Sequence, residues 1–499
     1  MTRLLRAFAI VVLTLVSLTG CIKPAPAVEP WHLSLSTSQT KSSPTPNMNI
    51  TLENTVTAVP EIPMGTPTPN EARVMPTLRA DPVDYVVQPN DSLSMIARTY
   101  GVDLQSLMNQ NQIINPNYLE VGQPLIIPTV DPNLEPSSFK IIPDSELVLS
   151  PSSIGFDVTT FMANFSGYLS TLQFADDVVR QVAEDYSVNP RILLVALECQ
   201  TGWLTSANTG LDPSQPVPTD AWKTNVFQVL SSIADSLNWG FYRWRENQIA
   251  YYILKDGSYI PASDVINGGT AAVQYWASTL YDKDQWAWAV SENGIYNLYK
   301  RYFGNPFQYS IDPLLPEDLQ TPDFILPFQQ GVVWSFTGGP HPSWGDGSAW
   351  GALDFAPPGS PMGCVVSGDW VTAIADGVIV RNEFGEVIQD LDGDGFEETG
   401  WVILYMHISS WQQAASGSMV KQGGLIGHAS CEGGISTGAH LHIARKYNGV
   451  WIAADSELPF VMDDYRARSS GIVYNGFLEM NGVYIEASAV YRPESLVAR

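Results

Sequence analysis

The stretch Ser436-Thr-Gly-Ala-His440-Leu-His442 leads directly into the strand-like residues Ile443 and Ala444. Residues i and i+2 of a β-strand point to the same face of a sheet. Both imidazoles are therefore predicted to project into one site. A metal centre or an acid/base pair needs this arrangement.

Other candidate metal ligands and acid/base residues lie in the same C-terminal third of the 499-residue chain. They are His341, His407 and Asp354, and Asp354 stands in the apolar run Gly351-Ala-Leu-Asp-Phe-Ala356. A carboxylate in a buried strand is costly unless it is paired or bound to a metal. One His-x-His is weak support for a metal, but four histidines with an apolar-embedded aspartate predict a metal site.

These motifs resemble the beta-lytic branch of the lysostaphin-type zinc metallopeptidases over about residues 331–451. The similar segments are Gly338-Gly-Pro-His341, Ala352-Leu-Asp-Phe355 and His440-Leu-His442. The compact His-x-Gly-x-Asp of the lysostaphin branch is absent, because Trp350 stands four residues before the aspartate.

The resemblance implies that His341, Asp354 and His442 bind Zn2+, and that His407 and His440 are catalytic residues. Two protein histidines and one carboxylate leave an open position on zinc, as in other hydrolytic zinc sites. In an alternative assignment, His440 is the ligand and His442 supports it.

The N-terminus is interpreted as a targeting segment followed by a tether. Residues 1–21 combine arginines with a twelve-residue apolar core, which is too short to span a bilayer. Leu18-Thr-Gly-Cys21 resembles a bacterial lipobox and implies lipid attachment at Cys21, although an ordinary signal peptide with a chance cysteine is the alternative. Residues 22–80, rich in Pro, Ser and Thr, are predicted to be a disordered linker.

Residues 83–130 are predicted to form a small βααβ module. Its segments Asn90-Asp-Ser-Leu93, Asn109-Gln-Asn111 and Leu125-Ile-Ile-Pro128 resemble a lysin motif (LysM). The resemblance implies binding to glycans that contain N-acetylglucosamine, usually peptidoglycan. A βααβ domain for another ligand is the alternative.

A linker is predicted for residues 131–155 and an all-helical domain for residues 156–308. Asn189-Pro190 is a typical helix start, and Gly202 ends that helix. The segment weakly resembles the catalytic helix of lysozyme-like transglycosylases. Glu198 is displaced by two residues, or about 200° of helical rotation. A structural or glycan-binding role is therefore favoured.

Residues 320–499 carry strand-like runs and are predicted to form an antiparallel all-β metallopeptidase domain with a C-terminal extension. The whole chain is thus assigned to a multidomain α+β class.

The four cysteines predict one disulfide. If Cys21 carries lipid, three thiols remain in an oxidising compartment, and two of them lie in the β domain. We predict a Cys364–Cys431 disulfide and a buried, unpaired Cys199. Two separate buried thiols are the alternative.

A second metal site is predicted at Asp390-Leu-Asp392-Gly-Asp394-Gly. Carboxylates at alternate positions before a glycine resemble calcium loops, and Glu398 is the candidate that completes the Ca2+ shell. A standard EF-hand is excluded because the twelfth position is Trp401. An acidic hairpin turn is the equal alternative.

A formal net charge of −26 argues against nucleic acid as a partner. The two resemblances together imply an extracytoplasmic zinc metalloendopeptidase that hydrolyses peptide bonds of peptidoglycan. It would be lipid-anchored to a bacterial membrane and targeted to the cell wall by its LysM. A catalytically silent peptidoglycan-binding or regulatory lipoprotein is the alternative.

Overall fold

A computed structural model describes residues 75, 81–89, 91–129, 134–207, 221–359 and 363–499. The predicted signal peptide, the lipidation site Cys21 and nearly all of the predicted linker 22–80 lie outside these residues. Within the described ranges, no helix is both long and apolar enough to cross a membrane.

The first folded module has the predicted βααβ order. Its elements are β1 (Val83–Val86), α1 (Leu93–Tyr100), α2 (Leu104–Gln110) and β2 (Pro124–Ile127). The side chains of Ser92 and Asp103 accept backbone N–H bonds at the starts of the two helices, and Gly101 ends α1 in the left-handed conformation. β1 and β2 pair antiparallel, as predicted.

The middle region is mainly helical. Its elements are α3 (Val158–Met162), α4 (Ala175–Tyr186), α5 (Pro190–Thr201), α6 (Ala221–Arg245), β3 (Tyr251–Ile253), β4 (Tyr259–Pro261), α7 (Gly268–Leu280), α8 (Lys283–Ala289) and α9 (Ile295–Phe303). The hairpin β3–β4 corrects the all-helical prediction. Short 3-10 turns lie at Asp144–Glu146, Pro151–Ser153, Tyr168–Thr171 and Pro306–Tyr309.

The prediction of a linker over residues 131–155 is wrong for the second half of this range. Ile141, Ile142, Leu147 and Val148 are fully buried in the core of the helical region. Glu146 is buried as well and pairs with Arg191 at 3.1 Å. This segment is apolar enough to join the core in spite of its prolines and serines.

The C-terminal region is built from antiparallel strands, as predicted. They are β5 (Val333–His341), β6 (Ala352–Ala356), β7 (Trp370–Thr372), β8 (Gly377–Arg381), β9 (Glu386–Asp390), β10 (Trp401–Met406), β11 (Met419–Val420), β12 (Leu425–His428), β13 (Leu441–Tyr447), β14 (Val450–Trp451), β15 (Val461–Met462), β16 (Tyr465–Ser469), β17 (Gly476–Met480), β18 (Val483–Glu486) and β19 (Leu496–Ala498). The main sheet has the order β11-β8-β9-β10-β13-β6-β5-β19, and β14 pairs with β13. A second sheet has the order β15-β16-β17-β18.

The two faces of the main sheet are covered by different cores. Leu404 and its partner Ala444 pack into the core of the helical region. Ile403, Tyr405 and Ile443 alternate with them and pack into a separate core within the β region. Because both faces are buried, β10 reads as a continuous apolar run rather than as an alternating one. The helical region is therefore packed directly on the sheet that carries the His-x-His motif.

A buried ion cluster lies across this contact. Arg381 on β8 pairs with Glu386 at 2.8 Å, with Glu397 at 3.2 Å and with Asp185 of α4 at 3.5 Å, and Lys446 pairs with Glu397 at 3.0 Å. Burial alone would raise the pKa of Glu397, but Arg381 and Lys446 outweigh it and lower this pKa to about 2. The carboxyl groups outnumber the two cations, and burial together with the neighbouring Glu386 raises the pKa of Asp185 well above its ordinary value.

Candidate metal centre

The three predicted metal ligands come from three adjacent strands. His442 of β13 stands opposite Asp354 of β6, and Asp354 stands opposite Gly338 of β5. The register between β5 and β6 then shifts, so that His341 rather than Pro340 stands opposite Ala352. Such an irregularity redirects a side chain to the other face of the sheet. The shift brings His341 to the face that carries Asp354 and His442.

The three donor atoms converge closely. His341 Nε2 and His442 Nδ1 are each 3.3 Å from Asp354 Oδ1 and 3.0 Å from one another. A tetrahedral zinc site with bonds of 2.0–2.1 Å has donor-to-donor distances of about 3.3 Å. Asp354 Oδ1 is buried and accepts no hydrogen bond. A buried oxygen without a partner is costly, so the donor set fits a bound cation.

The other nitrogens of the two imidazoles face backbone carbonyls. His341 Nδ1–H donates to the Gly339 carbonyl at 2.8 Å, and His442 Nε2–H donates to the Ser343 carbonyl at 3.0 Å. A carbonyl can only accept, so these contacts determine the tautomers. They leave one lone pair of each ring directed toward Asp354, as metal-binding histidines require.

The surroundings of Asp354 and His442 also favour the protonation states in which these side chains can bind a metal. Burial would raise the pKa of Asp354, but the neighbouring imidazole of His341 outweighs it and holds this pKa well below its ordinary value. Burial lowers the pKa of His442. The carboxylate is therefore ionised and the His442 ring is neutral, which are the forms that coordinate zinc.

The two predicted catalytic histidines lie beside this group. The ring centroids of His407 and His440 are 4.5 Å apart. His407 Nδ1–H donates to the Glu432 carbonyl at 2.8 Å, and His440 Nδ1–H donates to the Gly438 carbonyl at 2.9 Å. In both rings Nε2 remains as the nitrogen that can accept a proton.

His407 has further distinctive features. Its backbone is left-handed, with φ 63°, an uncommon conformation for a residue other than glycine. Burial and then the neighbouring rings of His440 and His442 lower the pKa of His407 to about 3. Its imidazole is thus neutral near neutral pH.

The structure brings all five predicted residues together, while their individual roles remain predictions. Of the two neighbouring histidines, His442 has the nitrogen nearer Asp354 Oδ1, at 3.3 Å against 3.8 Å for His440 Nε2. Only His442 belongs to the compact donor group with His341 and Asp354. This geometry favours His442 over His440 as the ligand.

Substitution of Gly338 tests how closely the backbone packs against the Asp354 carboxylate. A Cβ added there would lie 2.4 Å from Asp354 Oδ2. We expect Gly338→Ala to displace Asp354 and to weaken zinc binding about 10- to 100-fold, the usual cost of disturbing the support of a ligand. Gly368→Ala is the control, because a Cβ there meets nothing within 4 Å. Chelator competition measures both variants, and unchanged affinity in Gly338→Ala would contradict the expected displacement.

Tyr474 also borders the site, although no sequence motif predicted it. Its ring stacks on His341, with centroids 4.2 Å apart and an angle of 23°. It lies between β16 and β17, and its backbone carbonyl accepts the Gly339 N–H at 2.8 Å. Its side chain is about half exposed, so the ring covers His341 from the solvent side. The following Asn475-Gly476 indicates a turn but not what the turn contacts.

The predicted disulfide between Cys364 and Cys431 is confirmed, and Cys199 is the free cysteine of the described residues. Cys199 is half-buried, not buried as predicted. The bond lies next to the backbone bridges Gly363–Gly438 and Ser430–His440. It therefore ties the loop before β7 to the segment that enters β13. Burial raises the pKa of the half-buried Cys199 thiol to about 12, so this thiol is a poor nucleophile.

Loss of this bond should destabilise the β domain. The bond spans 67 residues, and the chain-entropy relation gives about 4 kcal/mol as an upper figure for such a loop. We expect Cys364→Ser to lower Tm and Cys199→Ser to change it little. With Cys21 changed to alanine, the unfolded, unreduced protein should show one reactive thiol; three would contradict the pairing in solution.

The structure does not support the calcium prediction. The carboxylates of Asp390, Asp392 and Asp394 lie together, but Glu398 is not part of this group. Asp390 accepts N–H bonds from Asp392, Gly393 and Gly395, and Asp394 accepts one from Phe396. The carboxylates thus satisfy the backbone of the turn between β9 and β10, which matches the acidic-turn alternative.

Models of known protein families match three parts of the chain. Three family models match: the LysM domain over residues 85–128, the LasA N-terminal domain over residues 140–316, and peptidase family M23 over residues 362–454. The chain carries a LysM domain and a peptidase family M23 domain.

The similar proteins cover different parts of the chain. Protease LasA of Pseudomonas aeruginosa is 24% identical over an alignment of 290 residues that covers 54% of this chain. Beta-lytic metalloendopeptidase of Lysobacter enzymogenes is 28% identical over 161 residues, 30% of this chain and 82% of that protein. The M23 metalloprotease pseudoalterin has a solved structure with 27% identity, covering 34% of this chain and 99% of its own, at a TM-score of 0.28. The chain spans 65% of the length of LasA, slightly under two thirds.

The M23 match contains His407, His440 and His442, but it begins at residue 362, after His341 and Asp354. The geometry of the strands, rather than this match, groups all five residues. The helical region matches the LasA N-terminal domain. This match is preferred to the weak resemblance to lysozyme-like transglycosylases. Glu198 accepts the Leu204 N–H at 2.8 Å and the Thr205 hydroxyl, so it stabilises the turn after α5.

Proposed function

We propose that this M23 protein is a zinc-dependent endopeptidase that hydrolyses peptide bonds of peptidoglycan. The observation that carries the proposal is the convergence of His341 Nε2, His442 Nδ1 and the unpartnered Asp354 Oδ1 within 3.3 Å of each other. Two imidazoles and one carboxylate are a donor set that zinc uses in hydrolytic sites.

In this proposal His341, Asp354 and His442 hold the zinc ion. Zinc in such a site supplies Lewis-acid catalysis. His407 and His440 are held by the Glu432 and Gly438 carbonyls, so their Nε2 atoms can take a proton from the attacking water and return it to the leaving amine. Tyr474 covers one face of His341 and restricts its rotation.

The LysM domain supports peptidoglycan as the substrate class. We propose that it binds the glycan strand while the M23 domain acts on the attached peptide. The lipobox-like segment before Cys21 supports attachment to a bacterial membrane and an extracytoplasmic, cell-wall-associated location.

The full chain, loaded with zinc, should release peptides from purified peptidoglycan, and mass analysis of the products identifies the bond cleaved. The isolated C-terminal region is a poor substitute, because Leu404 and Ala444 would lose their cover by the helical region. If the zinc-loaded chain bound peptidoglycan but released no peptide, the endopeptidase proposal would fail and a wall-binding role would replace it.

A further inference from the structure

The loop that joins two of the proposed metal ligands is held by the helical region. This ligand loop, residues 342–351, connects His341 to Asp354. Its Ser343 carbonyl accepts the Nε2–H of His442 at 3.0 Å. Ser343 is itself held by its backbone N–H and its hydroxyl, which both donate to the Ala349 carbonyl. The conformation of the ligand loop therefore determines the orientation of the His442 ring.

Asp235 of α6 holds this loop from outside by a hydrogen bond. Its Oδ1 accepts the Gly347 N–H at 2.7 Å. The fit is close, because a Cβ at Gly347 would lie 2.0 Å from the Asp235 carbonyl, and one at Gly345 would lie 2.8 Å from Asp235 Oδ1. These two glycines allow the loop to lie directly against the helix.

The same carboxylate meets the LysM domain. Arg98 at the end of α1 approaches Asp235 Oδ2 with Nη2 at 3.5 Å. Its Nε–H donates to the Tyr275 hydroxyl at 3.2 Å, and its guanidinium lies 3.8 Å from the centre of the Trp239 ring. Asp235 thus uses one oxygen for the metal-ligand loop and the other for the LysM domain.

Further contacts hold the LysM domain against the helical region. The Asp103 N–H donates to the Tyr259 hydroxyl at 3.1 Å, and the Tyr251 hydroxyl donates to the Gly101 carbonyl. Both tyrosines belong to the hairpin β3–β4, which the sequence did not predict. The glycan-binding module is therefore docked beside α6 and not simply tethered to it.

We propose that Arg98, Asp235 and Gly347 form a relay by which the LysM domain stabilises the orientation of His442 in the metal site. Asp235 is a positioning residue: it acts on the metal through Gly347, Ser343 and His442. Docking of the LysM domain then strengthens metal binding as well as placing the protein on glycan. The inference depends on the zinc site of the proposed function.

Zinc affinity of the full chain, measured by competition with a chromophoric chelator, tests the relay. Asp235→Ala should weaken zinc binding about 10- to 100-fold, the range for residues that orient a ligand. Asp235→Asn retains an oxygen for the Gly347 N–H but loses the ion pair. Arg98→Ala also loses only the ion pair. Both variants should therefore weaken zinc binding by a similar and smaller factor, about fivefold.

The double variant Arg98→Ala/Asp235→Ala should bind zinc as weakly as Asp235→Ala, since both changes break one path. Asp177→Ala is the control, because Asp177 is a half-exposed aspartate paired with Arg180 on α4. Circular dichroism checks folding, and Asp235→Asn and Arg98→Ala carry the test if Asp235→Ala does not fold.

Wild-type affinity in Asp235→Ala or in Arg98→Ala would overturn the relay, as would effects that multiply in the double variant. A wild-type chain that binds no zinc would instead contradict the proposed function.

Discussion

Alanine at His341, Asp354 or His442 is expected to strip zinc from the protein and to abolish peptide hydrolysis. Each change removes one of three donors whose nitrogen and oxygen atoms lie 3.0–3.3 Å apart. Loss of a ligand should exceed the roughly 10- to 100-fold cost of losing a residue that only supports one. Metal analysis after dialysis should find less than one zinc ion per chain in all three variants.

His428→Ala is the matched control for this experiment. His428 is as buried as the ligands, but it is packed against Trp370 and Trp411, outside the donor group. Its removal should lower stability without lowering the zinc content. Zinc retained by Asp354→Ala would contradict the proposed site, because Asp354 Oδ1 would then have no cation to neutralise.

Alanine at His407 or His440 is expected to leave zinc bound while kcat falls about 100- to 10,000-fold, the usual contribution of a general acid or base. Their rings are held by the Glu432 and Gly438 carbonyls and not by the metal ligands. KM should change less than kcat, because proton transfer occurs in the transition state and not in substrate binding.

Comparison of His440→Ala with His442→Ala decides between the two assignments of the His-x-His pair. The two side chains lie two residues apart, and both approach Asp354. If zinc were lost from the His440 variant and kept in the His442 variant, the roles assigned here would have to be exchanged. Both measurements use the same protein preparation and need no knowledge of the scissile bond.

The spacing of residues along a strand was enough to predict part of the site. His440 and His442 approach one carboxylate because side chains two apart share a face. The pairing of Cys364 with Cys431 followed from the oxidising compartment and from their shared domain. Sequence spacing could not distinguish a calcium loop from an acidic turn. In the structure, Asp390 and Asp394 accept hydrogen bonds from the N–H groups of their own turn.

By itself, the sequence determined the order of the modules, the antiparallel class of the C-terminal region and the residue types of the candidate metal site. These properties follow from local periodicity, capping and motif spacing. Only the tertiary structure decided that a register shift between β5 and β6 turns His341 toward Asp354, that Tyr474 stacks on His341, and that Asp235 joins the LysM domain to the ligand loop. Those contacts join residues that are distant in sequence. They form only when the strands, the helical region and the LysM domain pack against one another, and local sequence patterns do not specify that packing.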